Sequence, residues 1–529
     1  MRTAVSTCGS CAGSSGWAGR TSGRTSGRPP GRLSSARPGR LWPIWCAWGC
    51  AVIAGCTASA AEVSPPQDQL YFPSGLGLSP DEKSLFVANS NSELRYDSGS
   101  ISVIDLDLVQ DTITHWTITK AGPYPDGCLP DPDHAETLVC DETAFLRAGA
   151  GVRIGNFATD IAVQDLTVTG GGTVAPGGYT SRLIVPTRGD PSITWIDFDG
   201  TNLHCADGTD GFALCDDAHR LTSVVTDPLL TALPDEPFDA FADSPNGFAV
   251  VTHLSNGAVT LINSPVDSSN VRIVDLQTNL FAQDPTTGVR GATGVAGRHL
   301  PGSSPGAGDD LVYVGSRTEA RIQTFTIGEL KGSQPQPEPA YFVPGNYFFL
   351  DGVGTNGGAS SDTRGMKFSD DGGRLFVVNR APPTVQVFDT SPDPAGFPRN
   401  TLTGASDICR EASTIAVLEP AVPDALHPGA GERVYVTCFL DGEVYVVDPT
   451  GQSQVEDIVI VGRGAYAVAA ATGKNPTAND ASAAAMPAIP RQQLFISNFL
   501  EDTIAVVDVR PDSPTHDRVV LRIGTPRAP

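Results

Sequence analysis

A two-strand pattern recurs seven times along this chain and constrains its fold more than any other feature. Each copy is a run of alternating apolar and small residues, a turn rich in Gly, Pro, Asn or Asp, and a second alternating run, as in GRLFVVNRAPPTVQVFDTS at 373–391. The first runs end, in chain order, at Asn89, Thr187, His253, Ser316, Asn379, Cys438 and Asn498. β-branched and aromatic residues at alternate positions favour strands. The chain is therefore built from many short strands.

Each pair of strands is preceded by another strand-like run and is often followed by a fourth, such as THWTI at 115–119 in the first unit. Seven such units predict an all-β, seven-bladed β-propeller of four-stranded antiparallel blades, because radial stacking buries both faces of every small sheet. Units longer than the compact blades of about 40–50 residues predict long loops on one face. The blades are expected within 69–525, at approximately 69–120, 153–200, 237–277, 288–328, 362–390, 409–462 and 463–525. The pattern does not indicate how the ring closes.

The first 55 residues have the composition of an export signal. They contain seven Arg and no acidic residue, and the uncharged 16-residue run LWPIWCAWGCAVIAGC follows at 41–56. The stretch Ile53–Cys56 resembles a lipobox, which implies a signal peptide at 1–55, lipidation of Cys56 and a linker at 56–68. An ordinary signal peptide cut near residues 58–60 is the alternative. We predict a bacterial cell-envelope protein, lipid-anchored on the periplasmic or cell-surface side of the outer membrane.

The remainder of the chain is strongly acidic. Without the leader, 28 of the 35 Lys and Arg remain against 59 Asp and Glu, a formal net charge of −31. Nucleic-acid binding depends on Lys and Arg that neutralise phosphates. Nucleic acid is therefore not an expected partner, and the membrane is expected to be contacted only through the lipid anchor.

Six cysteines follow the leader and the lipobox, and they fall into three local pairs. An even number of cysteines in an exported chain predicts disulfides. Paired cysteines with histidine partners at zinc-site spacing do not occur in this part of the sequence. The expected disulfide-forming pairs are Cys128 with Cys140, Cys205 with Cys215 and Cys409 with Cys438.

Candidate functional residues lie at two repeated positions of the blades. The starts of the first strands line the central channel of a propeller, and alignment of the units places Asp160, Asp239 and Arg364 there. The ends of the second strands, or the residue just beyond, provide polar side chains at Asn89, His253, Asn379, Arg380 and Asn498. Paired carboxylates with His and Asn can bind a polar ligand, or Ca²⁺ or another divalent cation. The alternative is that these Asp and Asn residues cap turns.

The unit SPDEKSLFVANSNSELRYDSGSISVIDLD resembles the YVTN-type β-propeller repeat of bacterial surface and periplasmic proteins and of the lactonase-type seven-bladed family. Blades 1, 5 and 7 carry the resemblance most clearly. The resemblance implies the propeller fold. Propellers host many unrelated sites, so it implies less about function.

Two functions of different class remain open. We favour a monomeric, lipid-anchored binding or scaffold module for a protein, glycan or small polar ligand, without a cofactor. The alternative, implied by the resemblance, is a lactonase-like hydrolase that opens a lactone with water activated by a carboxylate or a metal at the channel mouth. Its candidate catalytic residues are Asp160, Asp239 and His253, and Arg364, Arg380, Asn89, Asn379 and Asn498 are the candidate ligand-binding residues.

Overall fold

The computed structural model is a ring of seven antiparallel blades, which confirms the predicted fold class. It describes residues 63–119, 125–167, 176–206, 211–223, 231–265, 271–298, 311–330, 338–350, 362–419, 431–451, 453–473 and 491–526. The signal peptide and the lipidation site at Cys56 lie outside the described residues. Within those residues, no helix has the length and apolar character needed to cross a membrane.

The blades follow the chain in order, and each begins with its innermost strand. Blade 1 contains β1 (Pro73–Leu78), β2 (Ser84–Asn89), β3 (Gly99–Asp105), the helix α1 (Leu106–Thr119), β4 (Cys128–Pro130), β5 (Leu138–Cys140) and β6 (Val152–Ile154). Blade 2 contains β7 (Ala162–Asp165), β8 (Ser181–Thr187), β9 (Ser192–Phe198), β10 (Leu203–His204) and β11 (Arg220–Thr222). Blade 3 contains β12 (Pro237–Asp243), β13 (Phe248–His253), β14 (Ala258–Asn263) and β15 (Arg272–Gln277).

Each of the remaining blades contributes four strands of its own, and the sheet of blade 7 is extended by β5 and β4. Blade 4 contains β16 (Ala292–Arg298), β17 (Leu311–Ser316), β18 (Arg321–Leu330) and β19 (Glu338–Phe349). Blade 5 contains β20 (Thr363–Phe368), β21 (Arg374–Arg380), β22 (Pro383–Asp389) and β23 (Thr401–Asp407). Blade 6 contains β24 (Ala412–Leu418), β25 (Arg433–Cys438), β26 (Glu443–Asp448) and β27 (Gln454–Ile460). Blade 7 contains β28 (Ala465–Ala471), β29 (Gln493–Asn498), β30 (Thr503–Asp508) and β31 (Arg518–Ile523).

The hydrophobic core lies between the blades. Strand β2 shows the principle: Phe86 and Ala88 pack towards blade 2, whereas Leu85 and Val87 pack towards blade 7. All four side chains are fully buried. Burial of a large apolar side chain contributes about 1.5–3 kcal/mol. Alternating apolar residues on both faces therefore stabilise the stack of blades and not the single sheet.

The fourth strand of blade 1 was predicted wrongly at 115–119. Those residues belong to α1, and Asp105 caps its start, since Oδ1 accepts hydrogen bonds from the backbone N–H groups of Asp107 (3.0 Å) and Leu108 (3.2 Å). Buried residues recur on one face of the helix at Val109, Ile113 and Trp116. The true fourth strand is β6, so the long insertion lies between the third and fourth strands of blade 1.

That insertion also closes the ring. Strand β5 pairs in parallel with β31 of blade 7, and β4 pairs with β5 across the Cys128–Cys140 disulfide. A second connection between the first and last blades is the Glu82 carboxylate, which accepts hydrogen bonds from the backbone N–H (2.8 Å) and hydroxyl (2.8 Å) of Thr472. Residues of the first blade thus extend the last sheet and hold the two ends of the propeller together.

The other two predicted disulfides are also formed. Cys205–Cys215 closes the loop between β10 and β11, and Cys409–Cys438 joins the segment before β24 to the end of β25. Disulfides persist in oxidising compartments. The three bonds therefore indicate an extracytoplasmic location.

Candidate ligand site in the central channel

The first strands of all seven blades surround a central channel of about 630 Å³. Every first strand gains one residue relative to its partner strand near its start, as between Pro237 and Ala240 of blade 3. The same register shift occurs in the other blades. Such bulges redirect side chains and are frequent next to binding sites. A cavity of 300–1,000 Å³ is typical of small-molecule sites.

The bulges place equivalent residues in rings around the channel. The first ring consists of Ser74, Thr159, Phe238, Thr293, Arg364, Ser413 and Tyr466. The second ring consists of Gly75, Asp160, Asp239, Gly294, Gly365, Thr414 and Ala467. The alignment of Asp160 with Asp239 is thus the one expected from the sequence, and Arg364 lies one position away.

Asp160 and Asp239 each reach across to the next blade. Oδ2 of Asp160 accepts a hydrogen bond from the backbone N–H of Ala240 (3.1 Å), and Oδ2 of Asp239 accepts one from Val295 (2.9 Å). The blades approach closely here, because a Cβ atom on Gly75 would lie 2.9 Å from the backbone carbonyl carbon of Asp160. These carboxyl groups therefore join neighbouring blades as well as line the channel.

The same two carboxyl groups are hydrogen-bonded to each other. Burial raises the pKa of Asp239 well above its ordinary value, and the neighbouring Asp160 charge raises it further. Burial also raises the pKa of Asp160, although the hydrogen bond from Asp239 opposes this. Two adjacent carboxyl groups cannot both ionise easily. Burial and the neighbouring charge therefore favour a proton held between the two carboxyl groups, with the pKa of Asp239 raised the more strongly.

Two arginines lie nearby, and each has an acidic partner of its own. Nη2 of Arg364 donates to Oδ2 of Asp362 at 3.0 Å. Nη1 of Arg380 lies 2.8 Å from Oε2 of Glu411, and burial lowers the pKa of Arg380. The positive charges near the mouth are thus already balanced, and both guanidinium groups are fixed in place.

Tyr466 is a channel residue that the sequence analysis missed. Its ring lies 6.2 Å from Phe439 and 6.0 Å from Phe499, centroid to centroid. Burial raises its pKa, while the charges of Arg364 and Arg380 lower it. An alignment of AYAVAAA at 465–471 with RGMKFSDDG at 364–372 in which the two bulges coincide would have placed Tyr466 at the position equivalent to Arg364.

The asparagine candidates at the ends of the second strands are not in the channel lining, whereas Arg380 is. Asn89, Asn379 and Asn498 are fully buried. Each bonds to the segment that leads into the first strand of its own blade: Asn89 accepts from the Tyr71 N–H (3.1 Å) and Asn379 from the Asp362 N–H (3.0 Å), whereas Asn498 donates to the Val461 carbonyl (3.0 Å). These contacts correspond to the turn-capping alternative.

His253 occupies the same position in blade 3. Its Nδ1 lies 3.2 Å from the Asp235 carbonyl oxygen and its Nε2 lies 2.8 Å from Oγ1 of Thr260. Burial lowers its pKa to about 4. The structure therefore does not bring His253 into the channel with Asp160 and Asp239. In blade 6 the same position is Cys438, and its disulfide to Cys409 joins the same two segments covalently.

A divalent cation needs several oxygen ligands. Among the residues that the structure describes, no three His, Cys, Asp or Glu side chains form a group that could hold a metal ion. Asp160 and Asp239 offer two carboxyl groups, and both already accept backbone hydrogen bonds.

No protein-family model matches the sequence, and no curated protein matches it either. The resemblance to the YVTN-type repeat therefore remains a prediction.

The solved structures that are similar to this chain have low sequence identity to it, and propellers are among them. Hydrazine synthase of Kuenenia stuttgartiensis has a TM-score of 0.46 and 12% identity, over 86% of this chain and 98% of that chain. The periplasmic gluconolactonase of Pseudomonas aeruginosa has a TM-score of 0.41 and 14% identity, over 74% and 86%. Sqt1 of Saccharomyces cerevisiae has a TM-score of 0.42 and 9% identity, over 82% and 95%. Similarity at this level says nothing about activity.

Proposed function

We propose that this protein is an extracytoplasmic binding propeller whose central channel takes a small, polyhydroxylated ligand. The observation that carries the proposal is the hydrogen-bonded pair of Asp160 and Asp239, which faces a channel of about 630 Å³. A protonated carboxyl donates a hydrogen bond and a carboxylate accepts several. The pair therefore offers both kinds of partner that a hydroxyl group needs.

The surroundings of the pair support a small polar ligand. Ser413, Thr414 and Tyr466 add hydroxyl groups on the opposite side of the ring, and all three line the channel. Leu76, Ile161 and Val295 form an apolar part of the channel wall next to the second ring. Apolar walls with a few fixed polar groups are characteristic of small-molecule sites.

The proposed location is the cell envelope, with the propeller attached through lipidated Cys56. The three disulfides support the compartment. The anchor itself rests on the lipobox-like sequence at 53–56.

Isothermal titration of the 57–529 protein with neutral and acidic monosaccharides tests the proposal. We expect at least one to bind with a 1:1 stoichiometry, and Asp239→Ala to weaken its binding at least tenfold, the equivalent of about 1.4 kcal/mol. Asp133→Asn, on the exposed loop between β4 and β5, is the matched control and is expected to bind normally. Binding that survives both Asp160→Ala and Asp239→Ala would place the ligand elsewhere.

Lactone hydrolysis is the second candidate, and the two adjacent carboxyl groups in the channel are the observation that favours it. The Asp160 carboxylate would accept a proton from water as the water oxygen bonds to the lactone carbonyl carbon. Asp239 would donate a proton to the ring oxygen as its bond to that carbon breaks. Titration of the acid released from a sugar δ-lactone measures turnover. Turnover that is lost in Asp239→Asn would support hydrolysis, and an absence of turnover in the wild type would leave the binding function alone.

A further inference from the structure

Lys367 is the single charged residue of a deeper ring in the channel. The fourth ring, counted from the bulges, contains small or apolar residues in the six other blades. Its members are Gly77, Ala162, Phe241, Ala296, Lys367, Ala416 and Ala469. Small neighbours leave space around the lysine side chain, which is exposed to the channel. Fold stability does not require a lysine here, because five of the other blades use Gly or Ala.

Lys367 differs from the two arginines near the mouth. Arg364 and Arg380 are paired with Asp362 and Glu411, whereas the Lys367 ammonium forms no hydrogen bond or ion pair within the described part of the chain. The acidic group that feels its charge is Asp160, whose pKa it lowers against the opposing effect of burial. Asp160 already accepts from Ala240 and Asp239. The ammonium therefore retains its capacity to bind an anion.

Lys367 lies deeper in the channel than the carboxyl pair. The carboxyl pair belongs to the second ring and Lys367 to the fourth. Two residues along a strand correspond to about 7 Å. A six-carbon acid has about this length, with hydroxyl groups at one end and a carboxylate at the other.

We infer that Lys367 binds the carboxylate of the ligand, so that the channel selects a small polyhydroxylated acid of the hexuronate type over the corresponding neutral sugar. This inference rests on the proposed function, since it concerns the same channel. Asp160 and Asp239 bind the hydroxyl groups at the mouth, and the ammonium supplies a charge-assisted hydrogen bond deeper in the channel. Lys367 is then the residue that determines specificity.

Reductive ¹³C-methylation provides a direct test, because the whole chain has only five lysines, Lys83, Lys120, Lys331, Lys367 and Lys474. D-glucuronate and D-glucose form a pair of probes that differ in one carboxylate. We expect glucuronate to shift the Lys367 resonance and to bind at least tenfold more tightly than glucose by calorimetry. Lys367→Met should remove this preference, and Lys367→Arg should retain most of it. Lys83→Met, on the exposed outer surface, is the matched control.

The outcomes separate the inference from the proposed function. Equal binding of glucose and glucuronate, unchanged in Lys367→Met, would overturn the inference and leave the proposed function standing. Glucuronate binding that leaves the Lys367 resonance unmoved would overturn it as well. If neither probe nor any other sugar binds the wild-type channel, the proposed function fails and the inference fails with it.

Discussion

Two repeated positions of the same blades carry polar residues, and the structure uses them in opposite ways. At the ends of the second strands, Asn89, His253 and Asn498 are fully buried and bonded to their own chain. At the starts of the first strands, Asp160 and Asp239 are partly accessible and face the channel. A polar side chain that the chain itself satisfies serves stability, whereas one directed into a cavity is available to a ligand.

The largest effect that tests this comparison is the loss of stability expected when a side chain at the end of a second strand is removed. Asn89→Ala leaves the Tyr71 N–H and the Ser102 hydroxyl without their partner, whereas the Ser100 hydroxyl still accepts from the Tyr71 hydroxyl. Buried groups that lose their partner cost about 1–3 kcal/mol each, so we expect a loss of about 4 kcal/mol in the free energy of unfolding, measured by urea denaturation.

Thr414→Ala is the matched change in the channel ring. Thr414 lines the channel, and its neighbours in the second ring include glycines and an alanine, so its loss should cost less than about 0.5 kcal/mol. Similar losses in the two variants would contradict the division into structural and channel-facing positions.

The fold was predictable because the repeated alternation records which side chains pack between blades. The prediction from the pattern was wrong where a short sequence is compatible with both a strand and a helix. THWTI has β-branched residues, yet it continues a helix whose buried face spans Val109, Ile113 and Trp116. Ring closure was not predictable, because β5 pairs with a strand almost 400 positions away and no local pattern records such a contact.

The site was predictable only in part. Alignment brought Asp160 and Asp239 together, since equivalent positions in a propeller are neighbours around one axis. It also grouped His253 with them, because the sequence does not show whether a side chain at a strand end turns towards the channel or back to its own chain. Lys367 was missed because its importance depends on neighbours contributed by the six other blades, five of which have Gly or Ala at this position.

His253 provides the next test, through the pH dependence of stability. The unfolded histidine binds a proton below its ordinary pKa of 6.5, whereas the buried one does so only below about 4. Between these values the unfolded state holds more protons, so the free energy of unfolding falls as the pH is lowered. This contribution amounts to about 3 kcal/mol over the whole window.

His253→Asn, which introduces the residue found at this position in blades 1, 5 and 7, should remove that part of the pH dependence. Urea unfolding at pH 4, 5.5 and 7 measures it, and His134→Asn on an exposed loop is the control. If the wild type and His253→Asn lose stability in parallel between pH 7 and pH 4, then His253 is not held in the neutral state.

The smallest expected effect has the opposite sign and concerns the channel pair. The folded pKa of Asp239 is raised, so the native state holds the proton more strongly than the unfolded state, and its contribution to stability is lost as the pH rises through the folded pKa. Asp239→Asn keeps a donor for Asp160 and an acceptor for the Val295 N–H without the second charge. We therefore expect it to raise the free energy of unfolding at pH 8 by on the order of 1 kcal/mol, the value of one retained hydrogen bond, and so to raise the thermal midpoint there, with little effect at pH 4. A variant that is destabilised equally at both values would show that the pair carries no shared proton, and that Asp239 serves only to join blades 3 and 4.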